Sequence, residues 1–239
     1  MKFYRSLAPI KAISFDLDDT LYSNRPVMLA TEQAMLPYFS QLLSPYCQSR
    51  NITFDKNFWR PYRIAAFKQN EALINDVTQL RLATYTMGIA SLNVTAEQAQ
   101  ELAQQAMAYF LTRRCDFTVP DTSLELLSQL RAKYPLVAIS NGNVDTNAIG
   151  LDKYFDHIYH AGNGLDKKPA PDLFMRAGDE LAIPCRHILH VGDCGYADII
   201  GALRAGMQAA WLSCYDVGKP ITVLPHIEIN NVAELAALT

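Results

Sequence analysis

The sequence lacks the features that mark several specialised classes of protein. Lys and Arg number 21 against 24 Asp and Glu, so there is no basic excess for a phosphate backbone and we expect no nucleic-acid partner. The five cysteines form no CxxC pair, which argues against a zinc ribbon or a disulfide framework. Pro9 and Lys11 interrupt the first apolar stretch, which is too short for a signal peptide or a membrane span of about 20 apolar residues. We therefore expect a cytoplasmic protein without a membrane partner.

The remaining composition is that of a globular protein. The chain has 239 residues, of which 50% are hydrophobic and 19% charged, close to the average for folded domains. At roughly 150 residues per domain, this length predicts one large domain or a core with a second lobe. A chain of this size can bury a sizeable core without disulfides or a structural metal.

Five short apolar runs have the length and composition of buried strands. They are IKAISF (10–15), PLVAIS (135–140), HIYHAG (157–162), HILHVG (187–192) and AAWLS (209–213). Amphipathic helical patterns follow the later runs or lie between them. Because alternating strands and helices are typical of a parallel sheet covered on both faces, the sequence predicts a Rossmann-like, doubly wound α/β core.

The long segment between the first and second runs has a different pattern. Pro26 suits the first turn of a helix, and Thr95 with Gln98 forms a capping-box signature. Helical periodicity continues through the segment and no strand pattern interrupts it. We therefore predict an α/β core at residues 1–23 and 118–239, with an all-helical insert at residues 24–117.

Polar residues follow each of the first four predicted strands. Ligands of open α/β sheets bind beyond the carboxyl ends of the strands, so these residues are expected to share one edge. They are Asp16, Asp18, Asp19 and Thr20; Ser140, Asn141, Gly142 and Asn143; Lys167 and Lys168; and Asp193 with Asp198. Any one loop could be explained by helix capping, but capping does not require several carboxylates facing a lysine.

This set of residues favours a site for a divalent cation and a phosphate ester. Asp16, Asp18 and Asp193 would raise one another's pKa values if they were packed together without a cation. Mg²⁺ would relieve this repulsion, because it takes a few carboxylates and completes its shell with water and phosphate oxygens. Lysine, Ser140 and backbone N–H groups would supply donors for the phosphoryl oxygens.

The ordered strings after the strands resemble the four motifs of the haloacid dehalogenase superfamily of phosphatases. The strings are Asp16-Leu17-Asp18-Asp19-Thr20, Ser140-Asn141-Gly142, Lys168-Pro169, and Gly192-Asp193 with Asp198. The resemblance implies a phosphatase in which the helical insert is a cap, with Mg²⁺ as cofactor and a small-molecule phosphate ester as substrate. We expect a monomer or a weak homodimer.

The resemblance also implies a role for each matched residue. Asp16 would attack phosphorus to form an aspartyl-phosphate, and Asp18 would protonate the leaving oxygen and then deprotonate the attacking water. Mg²⁺ would be held by the Asp16 carboxylate, the backbone carbonyl of Asp18, and Asp193. The phosphate-binding set would be Thr20, which also orients the first loop, with Ser140, Asn141 and Lys168.

Two departures from the family pattern leave alternatives open. Cys194 stands where many relatives have a second acid, so Asp198 could be a metal ligand, reach the metal through water, or cap the next helix. Lys167 and Lys168 are adjacent and only one can point inward; Pro169 favours Lys168, because lysine precedes proline in the family motif.

Segments outside the motifs resemble bacterial phosphatases of this superfamily that act on FMN and on 5-amino-6-(5-phospho-D-ribitylamino)uracil in riboflavin synthesis. These segments are residues 3–26, 75–81 (NDVTQLR), 134–143 (YPLVAISNGN) and 223–229. Aromatic residues of the insert could stack on such a ring, although their helical spacing also fits a packed core. They are Phe58, Trp59, Tyr62, Phe67 and Tyr85.

Other activities remain open at this point. A generalist phosphatase for sugar phosphates or nucleotides, or a sugar phosphomutase, would share all four motifs. A 2-haloacid dehalogenase would share the nucleophile, but it has no use for the acid at Asp18. A phosphorylated signalling switch would be about half this length and would have no insert.

Overall fold

The computed structural model describes residues 1–47, 52–215 and 221–239. The chain divides into two compact units. The α/β unit contains residues 1–24, 118–142 and 146–239, and the helical unit contains residues 25–117 and 143–145. In the part of the chain that is described, no helix is both long and apolar enough to cross a membrane.

The α/β unit is built on a seven-stranded sheet in the order β1-β7-β6-β5-β2-β3-β4. The strands are β1 (Lys2–Phe3), β2 (Ala12–Phe15), β3 (Leu136–Ser140), β4 (His157–His160), β5 (Ile188–Gly192), β6 (Gln208–Leu212) and β7 (Ile227–Ile229). All neighbouring strands are parallel except β1 and β7, which pair antiparallel. The predicted α/β fold class and all five predicted strands are confirmed, whereas β1 and β7 carry too few residues for their pattern to be recognised.

Helices flank this sheet. They are α5 (Asp121–Arg131), α6 (Asp172–Leu181) and α7 (Gly201–Arg204), with a π-helical turn at Gly195–Ile200 leading into α7. On one face, Leu173 and Phe174 of α6 and Ala202 of α7 pack in a cluster with Val137 of β3 and Ile188 of β5. β2, β3 and β5 are buried along their whole length, as expected for parallel strands covered on both faces.

The pairing of the central strands determines where the polar loops begin. Phe15 at the end of β2 aligns with Ala138 of β3 and with Val191 of β5. Because the three strands are parallel and in close register, their carboxyl ends lie at the same edge of the sheet. The loops that follow β2, β3 and β5 therefore start next to one another.

Among its described residues, the helical unit has four α-helices. They are α1 (Asn24–Leu43), α2 (Lys56–Gln69), α3 (Val77–Ala90) and α4 (Ala96–Arg114). Asp55, Asp76 and Thr95 accept hydrogen bonds from the first turns of α2, α3 and α4, and Thr95 with Gln98 forms the predicted capping box. The helices share a buried apolar core that includes Phe39.

Candidate functional site

The loop after β2 places Asp16 and turns sharply just beyond it. The Asp16 backbone N–H donates to the carbonyl of Val191 at 2.9 Å, which continues the ladder between β2 and β5 by one residue. Asp19 then adopts a left-handed conformation with φ of 58°, which aspartate tolerates better than most residues. Its carboxylate accepts the backbone N–H of Asn24 at 2.8 Å, which closes the turn.

Three buried carboxylates meet at this edge of the sheet. Asp16, Asp193 and Asp198 each offer one oxygen atom, and these atoms lie within 4.8 Å of one another. Asp16 and Asp193 directly follow β2 and β5, and Asp198 lies in the π-helical turn that comes next, so their approach follows from the alignment of these strands. Such a concentration of buried negative charge requires positive charge nearby.

Lys168 supplies part of that charge. Its Nζ atom donates to Asp16 Oδ1 at 2.6 Å, to Asp198 Oδ1 at 2.6 Å and to the carbonyl of Ile139 at 2.7 Å. These three contacts use all three protons of the ammonium group. Lys168 is only 2% exposed, so it is the inward-pointing member of the predicted pair with Lys167.

The surroundings of the three carboxylates shift their pKa values in different directions. Burial raises the pKa of Asp16 to about 7, against the opposing effect of Lys168, and burial together with Asp198 raises the pKa of Asp193 to about 8. Asp198 is also buried, but the contacts with Lys168 and His190 lower its pKa. Burial disfavours the charge of Lys168, yet Asp16 and Asp198 raise its pKa, so the ammonium stays protonated.

The loop after β3 holds Lys168 in place through Asn141. The Asn141 side chain accepts the Lys168 backbone N–H at 2.8 Å and donates to the Lys168 carbonyl at 3.0 Å. Both ends of this amide are therefore bound to the backbone of Lys168. Ser140 Oγ accepts the backbone N–H of Gly142 at 2.9 Å, which leaves its hydroxyl proton available to a ligand.

Asp18 and Thr20 lie on the same loop as Asp16 but have different neighbours. Asp18 is half-buried, and a Cβ atom added at Gly142 would stand 2.5 Å from its Oδ2 atom, so residue 142 must be small. Thr20 is buried and its hydroxyl lies 3.3 Å from Asp16 Oδ2 and 3.4 Å from Asp193 Oδ1. The Thr20 hydroxyl thus links two of the three clustered carboxylates.

A buried polar chain beneath the carboxylates was not predicted from the sequence. His190 Nε2 lies 3.3 Å from Asp198 Oδ1, and His190 Nδ1 lies 2.9 Å from the hydroxyl of Ser14. Ser14 and His190 are fully buried in the central strands β2 and β5. Polar residues inside the apolar runs AISF and ILHVG were the signal that could have identified them, because a buried strand residue of this kind requires a partner.

Protein donors bind both carboxylate oxygens of Asp198. Asp198 Oδ1 contacts both Lys168 and His190, and Oδ2 accepts the backbone N–H of Cys194 at 2.9 Å. Among the residues that the structure describes, fewer side-chain donors reach the Asp193 carboxylate, and its backbone carbonyl accepts the indole N–H of Trp211 at 2.8 Å. Like the contacts of Ser14 and His190, this contact of Trp211 was not predicted from the sequence.

The donor set fits a hard divalent cation. It consists of oxygen atoms from carboxylates, two of which have raised pKa values because they are buried without enough positive charge. Mg²⁺ prefers such oxygen ligands, and a thiol such as that of Cys194 suits it poorly.

Comparison with known proteins gives consistent results. The haloacid dehalogenase-like hydrolase family matches residues 10–206. The 5-amino-6-(5-phospho-D-ribitylamino)uracil phosphatase YigB of Escherichia coli is 38% identical over 100% of both chains. The N-acylneuraminate-9-phosphatase of Rattus norvegicus is 28% identical over 97% of this chain and 94% of its own.

Among solved structures, a 2-haloacid dehalogenase from Pseudomonas syringae pv. tomato superimposes with a TM-score of 0.86 at 26% identity. The superposition covers 96% of this chain and 97% of that one.

Proposed function

Because the chain belongs to the haloacid dehalogenase-like hydrolases and is a phosphatase, we propose that it hydrolyses phosphomonoesters with Mg²⁺ through a phosphorylated Asp16. FMN, 5-amino-6-(5-phospho-D-ribitylamino)uracil, or both are the proposed substrates. The observation that carries the proposal is the cluster of Asp16, Asp193 and Asp198, in which Asp16 and Asp198 bind Lys168. The full-length identity of 38% to YigB supports the substrate class. In this proposal the α/β unit is the hydrolase core and the helical unit is its cap.

Asp16 is the nucleophile of the first step. One of its carboxylate oxygens forms a bond to phosphorus while the bond between phosphorus and the ester oxygen breaks. The attack requires Asp16 to be ionised, and the Lys168 ammonium at 2.6 Å favours that form against the effect of burial. Lys168 also supplies positive charge toward the phosphoryl oxygens, together with the Ser140 hydroxyl and backbone N–H groups after β3.

Asp18 transfers the proton in both steps. As an acid it protonates the departing ester oxygen, and as a carboxylate it then takes a proton from the water that attacks the phosphorylated Asp16. The second step breaks the bond between phosphorus and Asp16 and releases inorganic phosphate. The half-buried Asp18 carboxylate lies beside the small residue Gly142, and Asp18 is not one of the three residues whose oxygens converge.

Asp16, Asp193 and the backbone carbonyl of Asp18 would hold Mg²⁺ when it is bound. The cation would neutralise negative charge on the carboxylates and on the phosphoryl group. Asp198 acts on this site through its neighbours, because its two oxygens are engaged by Lys168, His190 and the Cys194 N–H.

The experiment is a screen of phosphate release with and without Mg²⁺. The substrates are FMN, the ribitylaminouracil phosphate, nucleotides and sugar phosphates. We expect the fastest Mg²⁺-dependent release from one or both phosphoribityl compounds. Equal rates of phosphate release from all esters would indicate a generalist phosphatase. Isomer formation from hexose 1-phosphates would indicate a phosphomutase. The absence of phosphate release with Mg²⁺ would refute the proposal.

The variant Asp18→Asn tests the mechanism. Its turnover should fall at least about a hundredfold, because an amide cannot exchange the proton. Asp19→Asn is the matched control: it removes the neighbouring charge but keeps the oxygen that accepts the Asn24 N–H, and asparagine also tolerates positive φ. Unchanged turnover in Asp18→Asn would contradict the assigned role.

A dehalogenase is the second candidate, because the superposition on the P. syringae dehalogenase is close. Chloride release from 2-chloropropionate in the absence of Mg²⁺ would support it. Dehalogenation needs no acid for the leaving halide, so a dehalogenase would keep its rate in Asp18→Asn.

A further inference from the structure

His160 is the last residue of β4, and its side chain contacts the loop that follows β3. The two strands are parallel, and His160 aligns with Ser140, the last residue of β3. The Ala161 backbone N–H donates to the Ser140 carbonyl at 3.0 Å, so the pairing continues beyond the ends of both strands. The sheet therefore holds the backbone of His160 beside the loop of residues 140–142. A side chain that starts from such a rigid element is well placed to fix a loop.

The imidazole of His160 is hydrogen bonded to the backbone of this loop. Its Nδ1 atom lies 3.0 Å from the carbonyl oxygen of Gly142. Because a carbonyl oxygen can only accept, Nδ1 carries the proton and donates it. His160 is half-buried, so water competes less with this hydrogen bond than it would at an exposed position.

Gly142 is thus held on both sides of its Cα atom. Its N–H donates to Ser140 Oγ at 2.9 Å, and its carbonyl accepts from His160. The next residue, Asn143, already belongs to the helical unit, where its side-chain amide donates to Thr78 Oγ1 at 3.0 Å. The bond from His160 therefore fixes the loop at the last residue before the chain passes into the helical unit.

The position of Gly142 matters because the Asp18 carboxylate lies next to it. A Cβ atom on residue 142 would stand 2.5 Å from Asp18 Oδ2 and 3.3 Å from Ser140 Oγ. The Gly142 backbone therefore forms one wall of the space that holds the Asp18 side chain. Without the bond from His160 this wall could move, and a misplacement of about 1 Å in a reacting group can cost about a hundredfold in rate.

We propose that His160 is a positioning residue for phosphomonoester hydrolysis: its Nδ1–H holds the Gly142 carbonyl and so keeps the loop after β3 in place against the Asp18 carboxylate. This inference rests on the proposed function, in which Asp18 transfers the proton in both steps. His160 acts through Gly142 and needs no contact with the substrate. It should therefore affect proton transfer more than substrate binding.

Two substitutions separate the hydrogen bond from the ring. His160→Phe keeps a flat ring and removes the donor. His160→Asn lacks the ring, but its Nδ2 atom is as many bonds from Cβ as histidine Nδ1 and also carries N–H donors. The assay is Mg²⁺-dependent release of phosphate from the ester that the screen above identifies as the fastest.

His160→Phe should lower kcat and kcat/KM equally and at least about tenfold, because the positioned Asp18 acts in the transition state. His160→Asn should restore most of this loss. Equal kcat values in the two variants would overturn the proposal. A higher KM at unchanged kcat in His160→Phe would also overturn it, because the bond would then serve substrate binding.

His157 offers a matched control on the same strand. It is half-buried like His160, and its ring stacks on that of Tyr159 with 6.0 Å between the centroids. His157→Phe makes the same change in β4 away from the loop, so it should leave kcat unchanged. A loss of kcat as large as that in His160→Phe would show that the integrity of β4 is responsible, and it would overturn the proposal.

The Asp18→Asn background tests the route through Asp18. The proton donor is already absent there, so adding His160→Phe should have little further effect on kcat, because both changes remove the same function. A further loss by the same factor as in the wild-type background would show that His160 acts elsewhere, against the proposal.

Nuclear magnetic resonance separates a failure of this proposal from a failure of the proposed function. The ring-nitrogen signals of His160 are measured in the full chain without substrate at about pH 9, where histidine is neutral, and they are assigned with His160→Asn. We expect the proton on Nδ1. A proton on Nε2 in a protein that releases phosphate would overturn the role of His160 alone. A protein that releases no phosphate from any ester would refute the proposed function, and the role of His160 with it.

Discussion

Replacing Lys168 by Met should destabilise the α/β unit in the absence of Mg²⁺. Methionine has similar length but no charge, so Asp16 and Asp198 would each lose a donor at 2.6 Å while staying buried. Removing one partner of a buried ion pair typically costs about 3–5 kcal/mol, because the remaining charge is left without compensation.

The contacts around each carboxylate determine where in this range the loss of stability in Lys168→Met should lie. Asp198 keeps the His190 and Cys194 donors, and Asp16, whose pKa is already about 7, can take up a proton near neutral pH. We therefore expect a loss of about 3 kcal/mol at pH 7, which corresponds to a decrease in Tm of roughly 6–12 °C for a chain of this size. The loss should approach about 5 kcal/mol at pH 9, where protonation of Asp16 is harder.

Urea unfolding followed by tryptophan fluorescence is the assay. The α/β unit contains Trp211 and the helical unit contains Trp59, so a Trp59→Phe background restricts the signal to the α/β unit. Lys167→Met is the matched control, since it removes the same charge one residue earlier from a less buried position. A Lys168→Met protein as stable as Lys167→Met at both pH values would refute the buried ion-pair network.

Three further predictions concern the same site. Because the raised pKa values of Asp16 and Asp193 make the folded protein bind more protons than the unfolded chain, this contribution to metal-free stability should decrease as pH rises from about 4 to 8. Mg²⁺ should reverse the trend, and thermal unfolding with EDTA or with Mg²⁺ measures both effects. A trend that persists unchanged in the double variant Asp16→Asn/Asp193→Asn would show that other groups cause it. Gly142→Ala should displace the Asp18 carboxylate and lower turnover at least about tenfold, with little further effect in an Asp18→Asn background. His190→Ala should raise the Mg²⁺ concentration needed for half-maximal phosphate release by about 10–100-fold, because Asp198 loses a partner that positions it. His190→Gln should restore part of this affinity for Mg²⁺. The same half-maximal Mg²⁺ concentration in both variants would contradict a positioning role.

The sequence predicted the parts of the fold and site that depend on local patterns. The five strands were recognisable from their apolar runs, and the capping-box pattern of Thr95 and Gln98 predicted the start of α4. The strands β1 and β7 have only two and three residues, too few for a period to be detected. Their pairing across the whole chain depends on tertiary structure, which a local pattern does not contain.

Within the site, the residue types were easier to predict than their contacts. The carboxylates and Lys168 follow strands and form motifs, so their convergence could be expected from the sheet. Phosphate binding by Asn141 stays a prediction, whereas the contacts of both ends of its side-chain amide with the backbone of Lys168 were not predicted. Ser14 and His190 were not predicted because they lie inside strands, whereas the prediction considered only residues that follow the strand ends.

The central position of β2 in the sheet also has a consequence for how the chain folds. β2 lies between β3 and β5, whose partner residues are separated from it by more than the whole helical unit in sequence. The helical unit is nearly continuous in sequence, so its contacts close shorter loops and can form earlier. During synthesis Asp16 leaves the ribosome well before Lys168, Asp193 and Asp198, and it gains these neighbours only after they have emerged. The cluster of carboxylates is therefore assembled late in folding.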